Sequence, residues 1–250
     1  MPNSQTFYTI YILWLRQLKR YLRSRSRMVG SLGQPILFLV ALGFGFGPVY
    51  AAAGGGNYIQ FLAPGVIAMG ILFTAVFSGI EIIWDRQFGF LKETLVAPVS
   101  RTSIMIGRTL GGATVALIQG VVVLIIASFI GFHPLLINIP AALLFMLGIA
   151  VIFTALGTGI ASLLEDMQGF QLIMNFVVMP TFFLSGALFP LSGVLGKIAL
   201  FNPLCYGIDG LRATLTGLGQ LPLSTDALIV TAVSVALVGI GAWLFRRIEV

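Results

Sequence analysis

Two stretches of this 250-residue sequence gather side chains able to do more than pack. The first, residues 84–108 (WDRQFGFLKETLVAPVSRTSIMIGR), sets four cations (Arg86, Lys92, Arg101, Arg108) and two acids (Asp85, Glu93) between apolar segments. Such charges are costly in hydrocarbon, so the stretch is expected in water. It is also too apolar for an idle linker. On a helix ending before Pro98, Leu91 and Leu95 share a face, with Phe88 three positions earlier and Lys92 and Glu93 beside it. The chemistry on offer is docking: a cytoplasmic loop with a short helix that a partner protein grips. The plainer alternative is a solvated loop on the bilayer surface. The second stretch, 191–221, carries Lys197, Asp209 and Arg212 among glycines and prolines. Asp209 and Arg212 lie at i, i+3, a spacing that allows mutual neutralisation in a partly dehydrated hairpin. A structural ion pair is the preferred reading, and an outer gate the functional one.

Bond-making chemistry has no set of residues to carry it. His133 is the single histidine and Cys205 the single cysteine, which excludes a paired-His zinc motif, a Cys cluster and an intrachain disulfide. No GxxxxGK[ST] phosphate loop occurs: residues 193–197 have the wrong spacing, and Ile198 follows where a hydroxyl is needed. HExxH and GxSxG are absent too. The centres of the apolar segments are almost free of ionisable groups, so coupling to an ion has no evident residues. This chain is therefore expected to bind neither ATP nor metal, and to take its energy from outside.

The elements that position these stretches follow from composition. With 58% hydrophobic residues, 9% charged ones and a mean hydropathy of +1.04, the chain is far from the roughly 25% charge of soluble domains. It reads as an all-α polytopic membrane protein in a single transmembrane domain over 1–250. A span needs about 20 helical residues. Six are expected: two within 29–83, three within 103–190 (the last at 170–189), and one at 227–245. Before them, 5–27 reads as an amphipathic helix on the inner leaflet. Its Phe7, Tyr11, Trp14 and Leu18 recur at helical spacing, while Arg16, Arg20, Arg23 and Arg27 occupy another face and Lys19 adds charge. Between spans two and three lies the loop 84–102. The segment 191–221 is too interrupted for one span and too apolar for an exposed loop, so a re-entrant pair of short helices on the outer side fits it. Two GxxxG spacings, Gly43/Gly47 and Gly107/Gly111, are weak packing signals.

Sidedness rests on the cations. Six precede the first span, four lie in the loop and two follow the last span, so twelve of fourteen fall on one side, leaving Lys197 and Arg212 opposite. By the positive-inside rule that side, with both termini, is cytoplasmic. The net charge of +6 thus points to membrane orientation rather than to nucleic acid. The apolar run at 28–50 is longer than the 7–15 residues of a signal core, so cleavage is not expected.

The segments 89–112 (GFLKETLVAPVSRTSIMIGRTLGG) and 183–215 (FLSGALFPLSGVLGKIALFNPLCYGIDGLRATL) resemble the membrane subunits of type-2 ABC transporters. The likeness is to the short bacterial kind linked with drug resistance or with nodulation-factor and polysaccharide export. It extends to the layout: interface helix, six spans, and a hairpin before the last. One departure is 193–196, Gly-Val-Leu-Gly, where many relatives carry a Leu-Pro-x-Trp-like turn. The resemblance implies that Gly89, Phe90, Leu91, Lys92, Glu93, Thr94, Leu95 and Pro98 form a coupling helix seated in a separate ABC ATPase subunit. Two such subunits, with their ATP and Mg, would pair with two copies of this chain in a bacterial inner membrane. It also places Phe189, Pro190, Asn202, Pro203, Tyr206, Asp209 and Arg212 in an outer hairpin, and Trp14, Arg16, Lys19, Arg20 and Arg23 in the interface helix. The expected function is an ATP-driven exporter of an amphipathic, lipid or lipid-linked substrate. A membrane scaffold without a transport path is the alternative, and an intramembrane enzyme a third, disfavoured reading.

Overall fold

A computed structural model describes residues 2–90 and 99–245. It is 83% helical, with no strand among the described residues. The first helix, α1 (Pro2–Arg23), breaks at Ser24 and passes into α2 (Arg25–Ala52), whose 28 residues extend ~42 Å. Gly54 and Gly56, both at positive φ, turn the chain toward Asn57, which caps α3 (Tyr58–Phe77) by accepting from Ile59 N.

Helix α3 is the centre of the molecule, with fifteen of its residues buried. It is covered by α2, by α5 (Arg101–Phe129), by α6 (Ile139–Leu163) and by α9 (Pro203–Thr216). At Ser78–Gly79 the chain bends into α4 (Ile80–Gln87). The bend is possible because two glycines face each other. A Cβ on Gly79 would lie 2.3 Å from Gly157 O, and one on Gly157 would lie 2.4 Å from Val76 O. Backbone therefore touches backbone where α3 ends against α6.

Among the described residues, five helices are long and apolar enough to cross a membrane: Met28–Ala52, Tyr58–Gln87, Arg101–Phe129, Leu136–Leu163 and Leu223–Phe245. The last of these is α10. The span expected at 170–189 takes a different form. Helix α7 (Met167–Phe183) has 17 residues, contains a π-helical turn at Met174–Val178, and stops six residues early. At ~25 Å it falls short of the roughly 30 Å hydrocarbon core. Local chemistry ends it: Ser185 Oγ turns back to Phe182 O, and Gly186 adopts a positive φ. Phe189 and Pro190 lie beyond the helix. The segment 191–221 folds as two helices, α8 (Gly193–Ala199) and α9. Its approach is held to α3 by Tyr58, whose hydroxyl donates to Leu188 O at 2.7 Å, and by Gly65, where a Cβ would collide with Ala187 O.

Candidate functional site

The polar end of α4 leads toward residues 91–98, and the helices α1, α5 and α6 each supply a charged or hydrogen-bonding group around it. Glu81 and Asp85 are one turn apart on α4, so they share a face. Helix α1 offers Arg16 and Arg20 at the same spacing. Arg16 Nη2 reaches Asp85 Oδ1 at 3.2 Å, and Arg20 Nη1 lies 3.6 Å from Glu81 Oε2. The Arg20 guanidinium also stands 5.6 Å from the Trp84 ring centroid. From α5, Arg108 Nη2 donates to Asp85 Oδ2 at 2.5 Å. Asp85 thus takes one arginine on each oxygen.

The expectation that the charges of 84–108 lie in water fails for two of them. Asp85 is 4% exposed and Arg108 3%. Such burial is tolerable only for a paired charge, and removing one partner of a buried pair typically costs about 3–5 kcal/mol. The positions of Asp85 and Arg108 give the pair a second meaning. One residue precedes the segment 88–98 and the other follows it, so the ion pair joins the two helices that flank that segment.

A third attachment ties α4 to α6. Arg86 Nη1 donates to Leu164 O at 2.8 Å and Nη2 to Ser162 O at 3.0 Å. These carbonyls are left without intrahelical partners at the end of α6, and the guanidinium supplies the missing donors. Beyond Arg86 the chain turns at Gly89, whose φ of 79° favours glycine, and continues to Phe90. Leu91, Lys92, Glu93, Thr94, Leu95 and Pro98 fall outside the described residues, so the coupling-helix expectation is not addressed there.

Helix α1 departs from the picture of a helix lying alone on a leaflet. It runs lengthwise along α5 in the same direction. Gly107 faces Leu13 and Ile10, and Gly111 faces Gln17 and Trp14, so the GxxxG pair is the groove that receives α1. Trp14 Nε1 donates to Thr114 Oγ1 at 3.0 Å, and the Tyr21 hydroxyl to Gln119 Oε1 at 2.7 Å. In the other GxxxG pair, a Cβ on Gly43 would approach Ile59 at 3.2 Å while Gly47 faces open space. Lys19 and Arg23 have no acidic partner among the described residues and line an open groove between α1 and α4.

The residues expected in the hairpin separate into different tasks. Asn202 caps α9 through Leu204 N, ahead of Pro203, and donates Nδ2 to Thr181 O at 2.6 Å. Tyr206 donates its hydroxyl to Leu200 O at 2.8 Å. Phe189 packs edge-on against Phe46. Asp209 and Arg212 do not pair directly. Both Asp209 oxygens accept backbone N–H groups of Gln220 and Leu221 at 2.8–3.0 Å, while Arg212 Nη2 donates to Gly186 O at 3.1 Å. The Arg212 guanidinium stacks 4.0 Å from the Phe61 centroid. Asp209 closes the turn after α9, and Arg212 ties α9 to the strap between α7 and α8.

Beside the second half of α3 lies a cavity of about 470 Å³. Tyr21, Gln34, Phe73, Phe77, Met174 and Asn175 contribute to its wall, so the end of α1, the start of α2, the second half of α3 and the π-helical turn of α7 meet there. The wall is mainly apolar with a few amide and hydroxyl groups.

Comparison with known sequences gives this arrangement a family. The model of the ABC-2 type transporter matches residues 8–216, which takes in every helix from α1 to α9. The chain belongs to the ABC-2 type transporter family. Nodulation protein J of Rhizobium leguminosarum bv. viciae is 30% identical over 198 residues, covering 77% of this chain and 76% of that protein. The ycf38 transport permease of Porphyra purpurea is 34% identical over 201 residues, covering 76% and 68%. Nodulation protein J of Sinorhizobium fredii is 26% identical over 247 residues, covering 94% and 92%. This ABC-2 chain is a multi-pass membrane subunit of a transporter.

Sequence reasoning missed the clamp around α4. A signal was present: Glu81/Asp85 and Arg16/Arg20 have the same i, i+4 spacing with opposite charge. What hid the match was reading 5–27 as a helix on the inner leaflet rather than one packed along α5.

Proposed function

We propose that this ABC-2 chain is the membrane-spanning half of an ATP-driven exporter, worked by a separate ATPase subunit through the loop at 88–98. The observation that carries the reading is the clamp on α4. The helix entering the loop is bound by Arg16, Arg20 and Arg108, and through Arg86 it holds the end of α6. A loop fixed in this way moves its helices when its tip is moved, as a rigid-body switch requires. A loose loop would absorb the motion.

Two copies of the chain and two ATPase subunits, holding ATP and Mg, make up the complete transporter in this reading. Leu91, Glu93 and Leu95 are the contacts to the ATPase. The Met167–Phe183 helix serves as the fifth of six crossings, completed by the strap behind it, with α8 and α9 as the outer re-entrant hairpin. Both termini are cytoplasmic, in the inner membrane of a bacterium. The mainly apolar cavity beside α3 suits an amphipathic cargo (a hydrophobic drug, a lipid or a lipid-linked glycan) and gives an exporter a holding place that a scaffold does not need.

The test is co-purification followed by coupling. The chain should bring down an ABC ATPase whose hydrolysis responds to it in proteoliposomes. Leu91→Ala or Glu93→Gln should leave assembly and hydrolysis in place and abolish cargo movement. Normal export by both variants, or export by the chain alone without nucleotide, overturns the reading.

A further inference from the structure

Lys197 and Arg212, the two cations expected opposite the other twelve, meet at one place. Lys197 on α8 and Arg212 on α9 line a single cavity of about 250 Å³ between the hairpin helices, together with Ser192, Cys205, Asp209 and Gln220. Sites for drug-sized ligands occupy roughly 300–1,000 Å³, so this one suits a smaller group.

Its polar atoms are unevenly satisfied. Asp209 already accepts three backbone N–H contacts from Gln220 and Leu221. Arg212 is 5% exposed, yet its hydrogen bonds to Gly186 O and Phe61 O both leave from Nη2. Its Nε is buried without a partner, and Nη1 has no acceptor among the described residues. Lys197 is exposed and has no acidic partner among the described residues. The cavity therefore presents two cations to one carboxylate, and that carboxylate is occupied. A buried guanidinium with unused N–H donors is normally matched by an acceptor, and phosphate oxygens match the fork of an arginine.

We propose that the cavity between α8 and α9 is an anion site for a phosphate-bearing headgroup, held by Arg212 from within and by Lys197 at the mouth. The phosphate can belong to a membrane phospholipid or to a free phosphate ester, and these sources are separable. The proposal does not depend on the direction of transport or on the ATPase. Anion binding without any co-purifying ATPase would leave it standing while removing the exporter reading.

Cys205, the only thiol of the chain, lines the same cavity and reports its occupancy. The full-length protein is placed in nanodiscs of phosphatidylcholine, and the alkylation rate of Cys205 is followed with rising inorganic phosphate or glycerol phosphate, against chloride at equal ionic strength. A second series replaces part of the phosphatidylcholine by phosphatidylglycerol. Saturable slowing in the first series assigns a free phosphate ester, and slowing only in the second assigns a lipid headgroup. Lys197→Gln, an exposed change that leaves the fold intact, should weaken the protection about threefold, as for one exposed charge contact, and Lys197→Arg should restore it. Arg212→Lys, checked for folding by size-exclusion, should weaken it further. No protection in either series, or equal protection in Lys197→Gln and the parent protein, overturns the assignment.

Discussion

Asp85 and Arg108, joined at 2.5 Å, stand at the two ends of the loop that is proposed to meet the ATPase. Asp85 lies near the end of α4, and Arg108 lies about two turns into α5. Their pairing makes the base of the loop a fixed object rather than two independent strands of chain.

Asp85→Asn should lower stability by about 3 kcal/mol, because Arg16 and Arg108 then face a neutral amide with Arg108 still buried. Heating followed by size-exclusion with fluorescence detection measures this. In an assembled transporter, the same change should reduce cargo movement more than ATP hydrolysis. A midpoint unchanged from the parent protein would show that the pair does not hold the loop.

Gly79→Ala and Gly157→Ala should each cost about 1–3 kcal/mol, since each added methyl meets backbone that has no rotamer to yield. Gly30→Ala, where a Cβ meets nothing within 4 Å, is the control and should be near neutral. Yield and thermal midpoint of the three variants check the ordering.

Gly111→Val should push α1 off α5 while leaving the remaining helices in place. The methyl groups would occupy the position of Gln17 and crowd Trp14. Loss of the Trp14–Thr114 hydrogen bond should shift tryptophan emission to the red and make α1 accessible to limited proteolysis. An unchanged spectrum and cleavage pattern would count against the packing of α1 in the GxxxG groove.

Burial pushes the Cys205 thiol up to about 11, with the Asp209 carboxylate adding to the shift. A raised thiol pKa keeps the neutral form at ordinary pH, so the reactive thiolate is ~0.1% at pH 8. Alkylation should be slow at pH 7 and rise about tenfold per pH unit up to pH 10. A rate that levels off near pH 8.5 would indicate a solvated thiol of ordinary acidity.

The sequence made some features legible because they repeat over many residues. Long apolar runs marked α2, α3 with α4, α5, α6 and α10. The Gly- and Pro-studded stretch marked a pair of short helices. Features made by single contacts were not legible. The stop of α7 at Phe183 depends on Ser185 and Gly186, within a run whose hydropathy continues to Phe189. Asp209 and Arg212 carry complementary charge at helical spacing, yet the turn after α9 claims one and the carbonyls near Gly186 claim the other. A backbone N–H has no signature in the sequence, so a carboxylate's choice between a backbone turn and a nearby arginine is settled only by the fold. The clamp on α4 was half legible: its charged side chains stood out in the sequence, but their spacing with α1 acquires meaning only once α1 lies along α5.

Arg86 lends two donors to the final carbonyls of α6, so the last turn of one helix is finished by a side chain from another. Helix α6 packs along α10 on its other flank. A displacement entering at Gln87 therefore has a short mechanical route across the molecule, from the arginine to the helix end it completes and on to α10. Exchanging that arginine for lysine would preserve the charge and sever the linkage, because one ammonium lacks the planar fork that grips two separated oxygens at once.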